Sequence, residues 1–114
     1  MVQSFGVVEE DRDGTIVVAV SGEVDVATAP DLREHLASIA ESGDGRPVVV
    51  DLSGVTFIDS TGLGVLISTR KRCEDDARPL AIVIVEPRIL KVFEITGLTE
   101  LFAIYASLDA AMAA

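Results

Sequence analysis

The chain has 114 residues, which suits a single domain over 1–114 with one modest core. Hydrophobic residues make up 49% of it and aromatic residues only 4%, so that core has to be aliphatic. With 19 acidic against 9 basic residues the formal charge is −10, which repels nucleic-acid phosphates and anionic lipid heads and leaves a basic protein surface as the better-suited partner.

The opening MVQSFGVVEE has neither a basic n-region nor a long apolar run, so it does not read as a signal peptide. Residues 4–9 form a first strand candidate. Asp13-Gly14 is a tight-turn signal, and the β-branched run TIVVAVSG (15–22) predicts a second strand, closing an antiparallel hairpin. The period then changes. Leu32, Leu36 and Ile39 fall at i, i+4 and i+7, the apolar stripe of a helix, with Thr28 as its expected cap and Pro30 in its first turn. GDGRP breaks that helix. VVVDL (48–52) is the continuous apolar run of a strand buried on both faces. GLGVLISTRKRCEDD predicts a helix with Leu63, Leu66, Ile67 and Arg70 on one face, and PLAIVIV (79–85) a further buried strand. EPRILKVFEITG predicts a helix opened by Pro87 and closed by a left-handed Gly97, with Leu98 in the accompanying contact. A short strand at 102–105 follows, and Ser107 caps a last helix with Asp109 in its first turn. The order β-β-α-β-α-β-α-β-α predicts an α/β fold: a mixed, mostly parallel sheet with an N-terminal hairpin and about four helices.

No stretch approaches the roughly 20 apolar residues that span a bilayer. Cys73 is the single cysteine, which fits a reducing cytoplasm and a small packing residue. His35 has no neighbouring His or Cys with which to share a metal, so it is expected on a helix surface, and neither metal nor cofactor is expected. Glu74, Asp75 and Asp76 read as a solvated helix end. Size, charge and the lack of a heptad predict a monomer or a weak dimer.

The stretch that carries chemistry is TFIDSTGLGVLI, residues 56–67. Asp59, Ser60 and Thr61 are expected in a loop between a strand ending at Leu52 and a helix starting near Gly62, at the carboxyl ends of the strands, where binding sites gather. A cap worth about 1 kcal/mol explains one hydroxyl. It does not explain two, nor Gly62 and Gly64, each of which costs a helix about 1 kcal/mol relative to alanine. Neither G-x-x-x-x-G-K-[ST] nor G-x-G-x-x-G is present, so a nucleotide loop is set aside. The nucleophile elbow G-x-S-x-G is absent and no base for Ser60 is evident, so an enzyme is not expected.

VVVDLSGVTFIDSTGLGVLI resembles the signature of the STAS domain, whose stand-alone form is the anti-sigma factor antagonist, or anti-anti-sigma factor. VSGEVDVATAPDLREHL is similar to the family block in which G-E-x-D precedes the first helix, and ITGLTELFAIYASLDAAM to its C-terminal block, so the resemblance covers nearly the whole chain. The resemblance implies binding to an anti-sigma factor, a serine kinase of the histidine-kinase-like ATPase fold, with release of a sigma factor. It implies phosphorylation of the serine after the Asp of D-S-[ST]-G, here Ser60, reversed by a PP2C-type phosphatase. Asp25, matching the Asp of G-E-x-D, is implied in a loop beside that serine. The expected partner-binding set is thus Asp25, Asp59, Ser60, Thr61 and Gly62. Thr61 is either a cap or a second modified site. Asp59 either orients the loop or complements the helix dipole. As a surface residue, Asp25 should tolerate replacement by Ala with stability nearly unchanged. A phosphate on Ser60 should be accommodated by the helix dipole and free N–H groups. The alternative is a STAS-type interaction module in another assembly, a stressosome-like scaffold or a transporter or lipid-transport accessory; an exposed serine in D-S-T-G favours the first reading.

Overall fold

A computed structural model describes residues 4–114. Strands β1 (Gly6–Arg12) and β2 (Thr15–Val24) pair antiparallel from Gly6↔Ser21 to Arg12↔Thr15. Asp13 and Gly14 both take positive φ, 53° and 86°, as a two-residue hairpin turn requires. The first strand therefore starts and ends later than the apolar residues alone suggest, because the turn sets its register. Next come α1 (Ala29–Glu41), β3 (Val48–Ile58), α2 (Ser60–Asp75), β4 (Leu80–Val83), α3 (Pro87–Ile95), a 3₁₀ turn at Leu98–Glu100, β5 (Ala103–Tyr105) and α4 (Leu108–Ala113). The strands lie in the order β1-β2-β3-β4-β5, and β2 to β5 are mutually parallel.

That monotonic order decides the layering. Right-handed crossovers that always step in the same direction put α1, α2 and α3 on one face of the sheet. There Val18, Val20, Val50, Leu52 and Ile82 meet Leu32, Leu36, Leu63, Leu66 and Phe93 in the main core. On the opposite face Val17, Val49 and Val83 pack under Ala111, Leu108 and Met112 of α4. The run 48–50 is buried on both sides, as its unbroken apolar character predicts. Ile67 departs from the expected stripe: it is 41% exposed, while Leu63 and Leu66 are buried.

The expected loop between Leu52 and the second helix does not exist. β3 continues to Ile58, pairing only with β2 beyond its last β4 partner, Asp51↔Val83. Two register shifts hide this extension from the sequence. The step from Ala19 to Ser21 on β2 is matched by Asp51 to Gly54 on β3, and Gly22 to Glu23 by Val55 to Phe57. Each inserts one extra residue, so the alternation of a strand is lost in LSGVTF. Asp51 holds the first bulge: its Oδ1 accepts the backbone N–H of Ser53 at 2.9 Å and the Ser53 hydroxyl.

The pole at the other ends of the strands is tied by Arg78, whose side chain is fully buried. Its guanidinium donates to the carbonyls of Arg46 at 2.9 Å and Ile39 at 2.8 Å and to Asp44 at 3.1 Å. Asp44 also accepts from the backbone and guanidinium of Arg46, and these donors hold its carboxyl below the usual range. Arg78 is placed by the end of α2, where its N–H reaches the Cys73 carbonyl at 2.7 Å across Ala77, which sits at φ 56°. Left-handed backbone costs a non-glycine residue roughly 1–2 kcal/mol, against about 0.5–1 kcal/mol of extra chain entropy lost by a glycine. Ala77→Gly should therefore stabilise the protein by about 0.5–1 kcal/mol, read as a higher urea midpoint at unchanged m-value; a lower midpoint would contradict this account of the turn.

Candidate functional site

β2 and β3 end side by side, with Val24 paired to Ile58. The ladder runs one step further, the Asp59 N–H donating to the Val24 carbonyl at 3.1 Å. The turns that leave the two strands are thereby held as neighbours, which brings Asp25 next to the Asp59–Ser60–Thr61 segment.

Asp59 has extended backbone and is itself the N-cap of α2. Its Oδ1 accepts from the N–H groups of Thr61 at 2.9 Å and Gly62 at 3.1 Å, and its carbonyl accepts from Leu63 at 3.0 Å. Ser60 is consequently the first residue of the helix, beside the cap, exposed to solvent, and its Oγ enters none of the hydrogen bonds of the turn. Thr61, half-buried, contributes its backbone N–H to the cap. The cap belongs to the acid, so the hydroxyls of Ser60 and Thr61 are not needed for it. The expectation of free N–H groups awaiting a phosphate is narrowed on the same ground: those of Thr61 and Gly62 are already occupied, which leaves the Ser60 N–H.

Asp25 builds its own turn. Its Oδ1 accepts from the N–H of Ala27 at 2.9 Å and of Thr28 at 3.2 Å. Thr28 stands at the N-cap of α1, yet its hydroxyl accepts from the Asp25 N–H and donates to the Glu23 carbonyl at 2.8 Å rather than capping the helix. Asp25 is half-buried in this arrangement and holds two backbone N–H groups, which argues for a stability cost on its loss where the sequence alone predicts almost none. Beside it Val26 is 71% exposed, a residue that the sequence analysis missed; the only signal was a lone apolar side chain in a turn.

Gly62 supports the turn from below. It is buried, and a Cβ there would stand 2.7 Å from Cγ1 of Val24 and 2.9 Å from Cγ1 of Ile58. The first turn of α2 thus rests directly on the strand ends, which sets how far Ser60 stands out.

Arg46 bridges Asp11 and Asp44, Arg78 joins Asp44, and Arg70, Lys71 and Arg72 pair with Glu74, Asp75 and Glu41 near the end of α2. Among the described residues no ion pair reaches Asp25 or Asp59, so neither carboxylate is neutralised by a direct partner. Ligand crevices in open α/β sheets form where the strand order reverses, and this order never reverses. A groove of about 480 Å³ lies instead between β1 and α1, lined by Phe5, Asp31 and the exposed His35, away from Ser60. Cys73 is buried, its thiol pushed up by desolvation. Among the described residues no three His, Cys, Asp or Glu side chains gather to hold a metal ion, and no helix is long and apolar enough to cross a membrane. The surface around Ser60 presents a solvent-exposed hydroxyl beside the Asp25 and Asp59 turns.

Comparison with known proteins agrees with this geometry. The anti-sigma-B factor antagonist of Staphylococcus aureus (strain NCTC 8325 / PS 47) is 41% identical over 90 residues, 79% of this chain and 82% of the relative. That of Bacillus subtilis (strain 168) is 37% identical over 95 residues, 83% of this chain and 85% of the relative. The crystal structure of an anti-sigma factor antagonist from Mycobacterium paratuberculosis superposes with a TM-score of 0.90 at 34% identity, covering 96% of this chain and 92% of that one. A family model described as the STAS domain matches residues 7–111, and the chain belongs to that family.

Proposed function

We propose that the protein is an anti-sigma factor antagonist. It binds an anti-sigma factor that is a serine kinase of the histidine-kinase-like ATPase fold, frees the sigma factor held there, and is switched off by phosphorylation of Ser60; a PP2C-type phosphatase restores it. The observation that carries this reading is the Ser60 hydroxyl, exposed at the first position of α2 and released from capping duty by Asp59. The names of the relatives support the regulatory class. The kinase supplies the base, so the absence of one beside Ser60 is no obstacle.

The physics of the switch follows from the cap. A neutral hydroxyl enters an interface at little cost once it finds a hydrogen-bond partner. A phosphate brings about −1.5 to −2 charge and has to shed its water. With Asp59 already holding the Thr61 and Gly62 N–H groups, the phosphate faces outward and carries its charge to the partner. Charge left unpaired in an interface costs several kcal/mol, and about 3 kcal/mol is roughly a hundredfold in affinity.

Incubated with its anti-sigma factor and Mg-ATP, the protein should gain one phosphate, located on Ser60 by peptide mapping. By calorimetry Ser60→Ala should bind as the unmodified protein does, and Ser60→Asp about a hundredfold more weakly with its fold intact. Phosphate on Thr61 alone, or equal binding by the two variants, would overturn the switch.

The occupied cap makes a separate prediction. The Asp59 carboxylate beside the phosphate opposes its second negative charge while the α2 dipole favours it, so Asp59→Asn, which keeps an acceptor for the cap, should lower the phosphoserine pKa. Phosphorus NMR on the two phosphorylated proteins checks it; an equal value would mean that Asp59 does not act on the phosphate.

Asp25 calls for two variants. Asp25→Ala should cost about 1 kcal/mol of stability by removing the acceptor of the Ala27 and Thr28 N–H groups. Asp25→Asn keeps an acceptor and should stay within about 0.5 kcal/mol of the parent. Both should weaken binding to the anti-sigma factor. Undiminished binding by Asp25→Asn would confine Asp25 to its turn.

A further inference from the structure

Two glycines stand in the first turns of α2, and the structure accounts for only one. Gly62 is demanded by Val24 and Ile58, which leave no space for a Cβ. At Gly64 a Cβ would meet nothing within 4 Å. Nor does the backbone require it, since Gly64 is not among the residues with positive φ. In a helix interior a glycine gives up about 1 kcal/mol relative to alanine. The fold therefore carries a destabilising residue that none of its own contacts calls for.

The position of Gly64 says what it serves. It lies four residues after Ser60, one turn along the same helix face. Three residues further the same face carries Ile67, 41% exposed on a helix whose inner side is filled by Leu63 and Leu66. Ser60, Gly64 and Ile67 thus form a line: a hydroxyl, a stretch of bare backbone and an apolar knob. A missing side chain lets a second backbone approach closely, and the adjoining isoleucine gives it an apolar contact.

We infer that Gly64 is a specificity-determining residue of the proposed anti-sigma factor interface: the partner packs against the bare backbone of α2 one turn from Ser60, with Ile67 as its apolar anchor. This rests on the functional reading above and deepens it. Close approach there holds the Ser60 hydroxyl at a fixed distance from the partner, so that a phosphate has no room to withdraw. Any side chain at 64 lifts the partner away.

The signature is a pair of effects with opposite signs. Gly64→Ala should raise the melting temperature by about 4 °C, since it gains helix propensity and meets no obstacle within the fold. The same variant should raise the Kd for the anti-sigma factor about tenfold, the usual scale for overpacking by one methyl group. Gly64→Gln, also a good helix former, should keep the higher melting temperature and lose binding at least a hundredfold. Ile67→Ser should weaken binding about tenfold with little change in melting. The probe is the purified anti-sigma factor, first captured on the immobilised wild-type chain and identified by mass spectrometry. If both Gly64 variants bind as tightly as the wild type, the inference fails while the functional reading stands. If the wild type binds no anti-sigma factor at all, the functional reading fails and takes this inference with it.

Discussion

The parallel pairing of β2 with β3 is the constraint on which the rest of the molecule depends. It is the only pairing that runs from one pole of the sheet to the other, from Ile16↔Val48 to Val24↔Ile58. β4 leaves β3 at Asp51, so beyond that point β2 is the one strand among the described residues that pairs with the segment leading to Ser60. The two extra residues of β3 come in two separate bulges, and because they number two, the inward parity of Ile58 is the same as that of Val24. Had only one been inserted, Ile58 would face solvent and α2 would have no floor.

From that floor the site assembles by short-range chemistry. Val24 and Ile58 meet the first turn of α2 where Gly62 lacks a side chain. The same two strand ends release two aspartates, and each spends its Oδ1 on two backbone N–H groups of its own turn. Both acids are therefore structural and electrostatic at once. They order the turns they start, and the charge they keep is not cancelled by any ion pair among the described residues. At the opposite pole Arg78 and Arg46 close the loop before β3.

Much of this was legible in the sequence, for identifiable reasons. The Asp13-Gly14 turn, the apolar run at 48–50, Glu86-Pro87 and Ser107 each carry a local instruction that tertiary structure has no cause to override, and each element appears where that instruction puts it. What was hidden lay in LSGVTF, where bulges break the period that identifies strands, so the reach of β3 was read as a loop. The role of Asp59 was hidden as well. A carboxylate and a hydroxyl side by side are both able to cap, and only the backbone geometry assigns the task to Asp59. The family resemblance pointed to Asp25, but its turn-building hydrogen bonds and its place beside Asp59 were out of reach, because the latter comes from a neighbouring strand over thirty positions away in the chain.

The hairpin has one more consequence, for how such a protein behaves when abundant. β1 is an edge strand of seven residues, and its outer backbone groups have no partner in the sheet. An open edge of that length is a template on which copies stack. Here Glu9, Glu10 and Asp11 lie exposed in succession along it. Two such edges brought together would crowd these acids into one short stretch of the ladder. The acid run thus works against edge-to-edge stacking, so the protein can reach high concentration without that open edge turning it into fibre.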